Sequence, residues 1–315
     1  MSFLLFLEGL RNPVCDLFFS VITTLGEETL FMAIAMIVFW CLDKKQGYYL
    51  FTVGFFGTVC NQFLKMVFRI PRPWVRNPNF TVVESAVEEA TGYSFPSGHT
   101  QSSVGLFGGL ARWNRHPLLR WGSVALCVLI PFSRLYLGVH TPADVLTSVA
   151  IGLTLVLVGA PLFQKWGDSP LFMYSVLGLL TLSVVGLTVF LECYPFPASA
   201  LTPENLPCLL DAKKNAYTLL GCMVGFLVIY TIDSRYSKFP TAAVWWAQLI
   251  KILVGLALVL GVKELTQPLL EGLIPNYYLA RGVRYFLVVF TAGGIWPLTF
   301  GLFAKLGKQA TAKQS

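Results

Sequence analysis

In a chain of 315 residues of which only 12% are charged, three short runs gather ionisable side chains at close spacing. The first holds Lys65, Arg69 and Arg72, with Arg72 pinned between Pro71 and Pro73. On a helix Lys65 and Arg72 stand two turns apart with Arg69 between them, so the three share a face until Pro71 breaks the helix. Singly each reads as a snorkelling helix end; together they point to an anion site. The second run, Tyr93 to Thr100, places Ser97 where an N-cap would open a helix and aim free N–H groups at an anion. Gly98 lets backbone approach a ligand closely, and His99 adds a titratable group; alone, Ser97 is a cap and His99 an interfacial histidine. The third run, Ser133 to Asp144, contains Arg134 and His140. Thr141, Pro142 and Asp144 fit the N-cap, N1 and N3 positions of a helix, so Asp144 reads as a capping carboxylate. It reads equally as the acceptor for Nδ1–H of His140 one turn earlier, which leaves Nε2 free to attack. The chain has only three histidines, and two lie in these runs. Cations that hold a phosphate, one imidazole that attacks it and a second that protonates the leaving oxygen form a phosphoryl-transfer centre.

The elements that must position these groups are membrane helices. Hydrophobic residues make up 55% of the chain and aromatics 14%, and the mean hydropathy is +0.66. Such a composition excludes both an ordinary water-soluble enzyme and a disordered chain. Apolar runs near the ~20 residues a crossing needs fall at 27–42, 47–69, 97–113, 121–139, 142–163, 172–194, 217–234, 245–265 and 285–304. The first is short and the third starts polar, so counts of eight or ten stay open beside nine. Residues 1–26 read as amphipathic segments at the interface. Met1 to Phe6 carries no basic residue ahead of its apolar run, and Glu8 and Arg11 interrupt that run, so insertion is expected to rely on internal helices.

The net charge of +7 is topological and implies no nucleic-acid partner, because many Lys and Arg sit at the ends of apolar runs. Lys44, Lys45, Arg112, Arg115, Arg120, Lys165, Arg235, Lys238, Lys305, Lys308 and Lys313 fall on one side, which the positive-inside rule makes cytoplasmic. Loops 70–96 and 195–216 and the 139–141 corner then face outward, and all three chemical runs meet there. Of seven cysteines, only Cys193 and Cys208 bracket an outward loop, and their spacing favours free thiols over a disulfide.

Lys65-x6-Arg72-Pro73, Pro96-Ser97-Gly98-His99 and Ser133-Arg134-x5-His140-x3-Asp144 resemble, in order and spacing, the three-part signature of the type 2 phosphatidic acid phosphatase and vanadium haloperoxidase superfamily. The resemblance implies an all-α polytopic bundle: an N-terminal interfacial segment over 1–26, a six-helix phosphatase core over 27–194, and about three further helices in a 195–315 extension whose role it leaves open. It implies that His140 is the nucleophile, Asp144 orients it, and His99 is the general acid. Lys65, Arg72, Ser97, Gly98 and Arg134 would bind the phosphoryl group, and neither metal nor cofactor is implied. Arg69 matches no position of the signature and reads as interfacial.

The expected activity is metal-independent hydrolysis of a lipid phosphate or diphosphate through a phosphohistidine. The site is expected on the non-cytoplasmic face of a plasma (inner) membrane. A lipid phosphotransferase with the same site, and a non-enzymatic transporter or scramblase, are the alternatives; the latter has no use for two histidines and an oriented carboxylate. Trp74, Phe80, Tyr93 and Phe95 favour a substrate with a hydrocarbon tail, while Glu84, Glu88 and Glu89 read as a solvated acidic face. Gly221-x3-Gly225 and Gly293-Gly294 permit close helix packing, including packing within a homodimer.

Overall fold

The apolar runs fold as helices, and among the described residues no strand forms. The structure is a computed structural model that describes residues 1–312; Lys313, placed on the cytoplasmic side by its sequence, lies outside them. The helices are α1 Ser2–Glu8, α2 Pro13–Thr24, α3 Glu28–Cys41, α4 Lys44–Phe68, α5 Pro73–Arg76, α6 Gly98–Ser103, α7 Gly109–Trp113, α8 Pro117–Tyr136, α9 Pro142–Trp166, α10 Pro170–Cys193, α11 Leu206–Ile232, α12 Trp245–Leu273, α13 Tyr277–Phe290 and α14 Phe300–Ala312.

Seven stretches are long and apolar enough to cross a bilayer: Lys44–Arg76, Pro117–Tyr136, Pro142–Trp166, Pro170–Cys193, Leu206–Ser237, Trp245–Leu273 and Tyr277–Leu306. Two of the nine expected spans are shorter. The run at 27–42 forms the 14-residue α3, about 21 Å at 1.5 Å per residue, and it reaches spanning length only if counted with α2, from which it is bent by 48°. The run at 97–113 breaks into α6, a π-helical turn over Val104–Gly108, and α7. The chain is an integral, multi-pass membrane protein.

Contacts divide it into two units. One comprises residues 1–32, 53–162 and 191–212 and contains all three chemical runs. Its N-terminal segment packs against the end of α8. Arg11 donates from Nε to the carbonyl of Tyr136 (3.1 Å) and from Nη1 to that of Thr81 (2.9 Å), while the Tyr136 hydroxyl donates to Asp16 (2.8 Å). Above that corner Ala86, Tyr136, Leu137 and Val139 form a small core covered by Cys15, Phe19, Trp74 and Phe132. The 70–96 connection therefore folds onto the corner that carries Arg134 and His140.

The second unit comprises residues 33–52, 163–190 and 213–315. Two of its charged side chains find partners inside the unit, as a low-dielectric interior favours. Lys251 is fully buried and donates to the carbonyls of Trp40 (2.8 Å) and Thr241 (2.9 Å), and Lys44 pairs with Asp233 at 2.7 Å. A Cβ at Gly221 would lie 1.9 Å from the Gly282 carbonyl oxygen, and one at Gly225 2.9 Å from Val289. The glycines of α11 thus pack against α13 of the same chain. All seven cysteines are free thiols.

Candidate active site

The corner between α8 and α9 is fixed by two terminal motifs of adjacent sequence. Gly138 adopts φ +82°, and the amides of Gly138 and Val139 donate to the carbonyls of Leu135 (3.1 Å) and Arg134 (3.2 Å), closing α8 with a Schellman motif. Glycine is required there, since a Cβ would also meet Arg11 and Phe80 at 2.5 and 2.9 Å. Two residues on, Thr141 and Asp144 form a reciprocal capping box: the Thr141 amide donates to Asp144 Oδ2 (2.7 Å) and the Asp144 amide to Thr141 Oγ1 (3.4 Å). His140 is held between these motifs.

His140 is 2% exposed and Asp144 1%. Asp144 Oδ2 lies 3.5 Å from His140 Nδ1, and the same oxygen accepts from Ser94 Oγ at 2.6 Å. The two readings of Asp144 are therefore compatible, because one carboxylate both caps α9 and faces the imidazole. On the other side of the ring, Arg72 Nη1 lies 3.0 Å from His140 Nε2. Arginine can only donate, so Nε2 accepts and the ring proton sits on Nδ1, toward Asp144.

Arg72 reaches this position by a route its spacing from Lys65 does not suggest. Helix α4 stops at Phe68, Arg69 turns to φ 48°, and Arg72 is extended (φ −63°, ψ 155°) ahead of Pro73, as a residue preceding proline prefers. The turn, not a shared helix face, brings the side chain in. Its guanidinium also donates to the carbonyls of Thr91 (2.7 Å), Gly92 (3.2 Å) and Val139 (3.0 Å). Lys65 donates to the carbonyl of Tyr93. Arg69 bonds the Met66 carbonyl at 3.0 Å and takes no part in the cluster.

Arg134 is fully buried. Its Nη1 donates to Thr23 Oγ1 at 2.6 Å, and its Nε has no hydrogen-bond partner. Ser97 caps α6 through Thr100 (3.4 Å), and its amide donates to the Asp144 carbonyl at 3.3 Å. Ser148 donates to the carbonyls of both Ser97 (2.8 Å) and Asp144 (3.0 Å), which stitches α6 to α9. At Gly98 a Cβ would meet nothing within 4 Å, so protein packing does not account for the glycine. Burial pushes the His140 imidazole well below its ordinary range, and Arg72, Arg134, Lys65 and His99 add to the effect. Its uncharged, nucleophilic form is the stable one.

All eight expected site residues thus gather in one unit. Four contributors escape sequence reading. Ser94 lies in the quoted run but carries no signal of its bond to Asp144. Thr23 and Ser148 lie in an ordinary helix and an ordinary span. Glu89, read as solvated, places Oε2 3.4 Å from His99 Nε2. Among the described residues no group of three or more His, Cys, Asp or Glu forms a metal-binding set.

Fold and site together define a multi-pass membrane protein in which buried cations surround a carboxylate-backed histidine. The chain belongs to the PAP2 superfamily: residues 46–168 match it, and residues 217–309 match the PAP2 superfamily phosphatase transmembrane extension. The first match contains every expected site residue, and the second falls within the 195–315 region.

Among similar proteins, the dihydrosphingosine 1-phosphate phosphatase of Schizosaccharomyces pombe is 26% identical over 300 residues, 87% of this chain and 67% of the relative. The lipid A 4'-phosphatase of Porphyromonas gingivalis is 31% identical over 156 residues, 47% of this chain and 65% of the relative. The undecaprenyl-diphosphatase of Bacillus subtilis is 28% identical over 127 residues, 39% of this chain and 63% of the relative. The chain thus spans about two thirds of each relative's length. No solved structure matches it significantly.

Proposed function

We propose that this membrane protein is a phosphoric ester hydrolase that removes phosphate from a lipid phosphate or diphosphate through a phosphohistidine at His140. The observation that carries the reading is the charge balance around that histidine. Lys65, Arg72 and Arg134 are buried and act electrostatically on His140, with Asp144 as the one carboxylate in contact with the ring. Burying like charges is costly without a counter-ion, and a phosphoryl group is the anion that three cations match.

In the reaction Arg72 passes its hydrogen bond from Nε2 to a phosphoryl oxygen, and the freed Nε2 lone pair forms a bond to phosphorus while the bond from phosphorus to the lipid oxygen breaks, that oxygen taking the proton of His99. Asp144 stabilises the positive charge that develops on the imidazole. Water then attacks the phosphohistidine, giving its proton to His99 as the P–N bond breaks. The three cations supply the charge stabilisation that a metal ion supplies elsewhere, and no metal enters these steps. The open space at Gly98 leaves room for phosphoryl oxygens beside the Ser97–His99 backbone. The distribution of Lys and Arg among the loops supports a site on the non-cytoplasmic face.

The substrate class follows from the membrane setting and from the relatives' names, all of which are lipid phosphates or diphosphates. The alignment to the dihydrosphingosine 1-phosphate phosphatase runs through the extension, whereas the two bacterial alignments cover less than half of the chain. A long-chain base phosphate is therefore the first ester to test, followed by phosphatidic acid, a lipid A phosphate and a polyprenyl diphosphate. Purified protein in detergent is expected to release inorganic phosphate from one of these, and His140→Ala is expected to abolish release while remaining folded. Undiminished release by that variant would sink the mechanism; binding of lipid phosphate without release would favour the transporter alternative.

A further inference from the structure

Glu89 belongs to an acidic stretch that composition assigns to solvent, yet its carboxylate faces one of the site's two histidines. The distance from Oε2 to His99 Nε2 is 3.4 Å, and Nε2 is buried without a hydrogen bond of ordinary geometry. Glu27 lies near enough to Glu89 for the two carboxyls to interact. A carboxylate beside an imidazole favours the ring's charged form. The Glu89 charge also acts on Arg134. The charges acting on His99 besides this neighbouring carboxylate are cations, Arg134, Arg72 and Lys65, and His99 acts in turn on His140.

The arrangement bears on a specific requirement. To protonate a departing alkoxide, His99 must carry an extra proton, and three cations repel that charge. The substrate's phosphate offsets them while it is bound. Once the lipid has left, His99 must again hold the proton it takes from water, and the fixed negative charge at hand is that of Glu89. We propose that Glu89 is the positioning residue of His99: it orients the ring and supports its charged form, as Asp144 does for His140. Each histidine then has its own carboxylate. The inference takes the acid role of His99 from the function proposed above.

The test compares wild type, Glu89→Gln, Glu89→Asp and His99→Ala on two esters: the lipid phosphate found by screening, and an aryl phosphate whose phenolate needs little protonation. Glu89→Gln is expected to lower kcat on the lipid ester about tenfold to a hundredfold, a part of the roughly hundredfold to ten-thousandfold that the general acid itself supplies. KM should stay within about threefold, and the aryl ester should lose much less, as it should in His99→Ala. Removing the carboxylate should also move the basic limb of the kcat profile to lower pH by about one unit, and Glu89→Asp should restore most of the rate and the limb.

Equal losses on both esters, or a basic limb that does not move, would reduce Glu89 to a structural residue and overturn the inference while leaving the phosphatase intact. A wild type that releases phosphate from neither ester overturns both readings.

Discussion

Replacing Asp144 by Asn separates the two duties that structure gives this carboxylate. Oδ2 accepts from the Thr141 amide and from Ser94 Oγ at 2.7 and 2.6 Å, and an amide oxygen can take over both bonds. The cap is therefore largely kept, at a cost of about 1 kcal/mol for the weaker acceptor. The contact with His140 cannot be kept, because at 3.5 Å it is longer than a good hydrogen bond and acts through charge. A full positive charge on the ring would be stabilised by about 5 kcal/mol at that distance with an effective dielectric near 20. With roughly half a charge developed in the transition state, the share is about 2.4 kcal/mol, or a loss of roughly 60-fold in kcat. The assay is the initial rate of phosphate release in detergent, on protein whose folded fraction has been measured by thermal unfolding. If Asp144 were a cap alone, Asp144→Asn would lower the unfolding temperature and leave the rate per folded molecule unchanged. That outcome refutes the electrostatic role.

The remaining predictions address pH and the support behind Arg134. Because burial and the neighbouring cations hold His140 below its ordinary value, its neutral form persists as pH falls through about 6.5, the usual imidazole range. The acid limb of kcat/KM for an aryl phosphate, corrected for ionisation of the ester, should then lie below that range; a limb at the ordinary value contradicts the environment described. Thr23→Val removes the acceptor of Arg134 Nη1 (2.6 Å) with little change of shape. It should reduce kcat/KM about tenfold to a hundredfold, the equivalent of one hydrogen bond to a charged group, while Thr23→Ser stays near wild type. Parallel behaviour of the two variants would mean that Thr23 does not hold Arg134.

What could be read from the sequence was local. The Schellman glycine, the capping box and the His140–Asp144 spacing each lie within a few residues, and their geometry follows from backbone rules that hold in any fold. The contributors that could not be read are those whose partners lie far along the chain: Thr23 and Arg134 are 111 positions apart, and Ser94 and Asp144 50. Glu89 is exposed, as the composition of its loop suggests, but nothing nearby in sequence marks the histidine it also meets. The count of spans shows the same boundary from the other side. Hydropathy registers the apolar run after His99, but not that a π-helical turn at Val104–Gly108 divides it.

The division of labour has a physical cause. A membrane interior penalises every unpaired charge, so the charges kept there must be matched either by one another or by a ligand. In the second unit Lys44 is matched by Asp233, while Lys251 is solvated by two carbonyls. Around His140 backbone carbonyls take hydrogen bonds from Lys65 and Arg72 and a hydroxyl takes one from Arg134. These neutral partners solvate the cations without cancelling their charge. The excess positive charge therefore stays with the site, and a dianionic phosphoryl group cancels it more fully than any neutral ligand could.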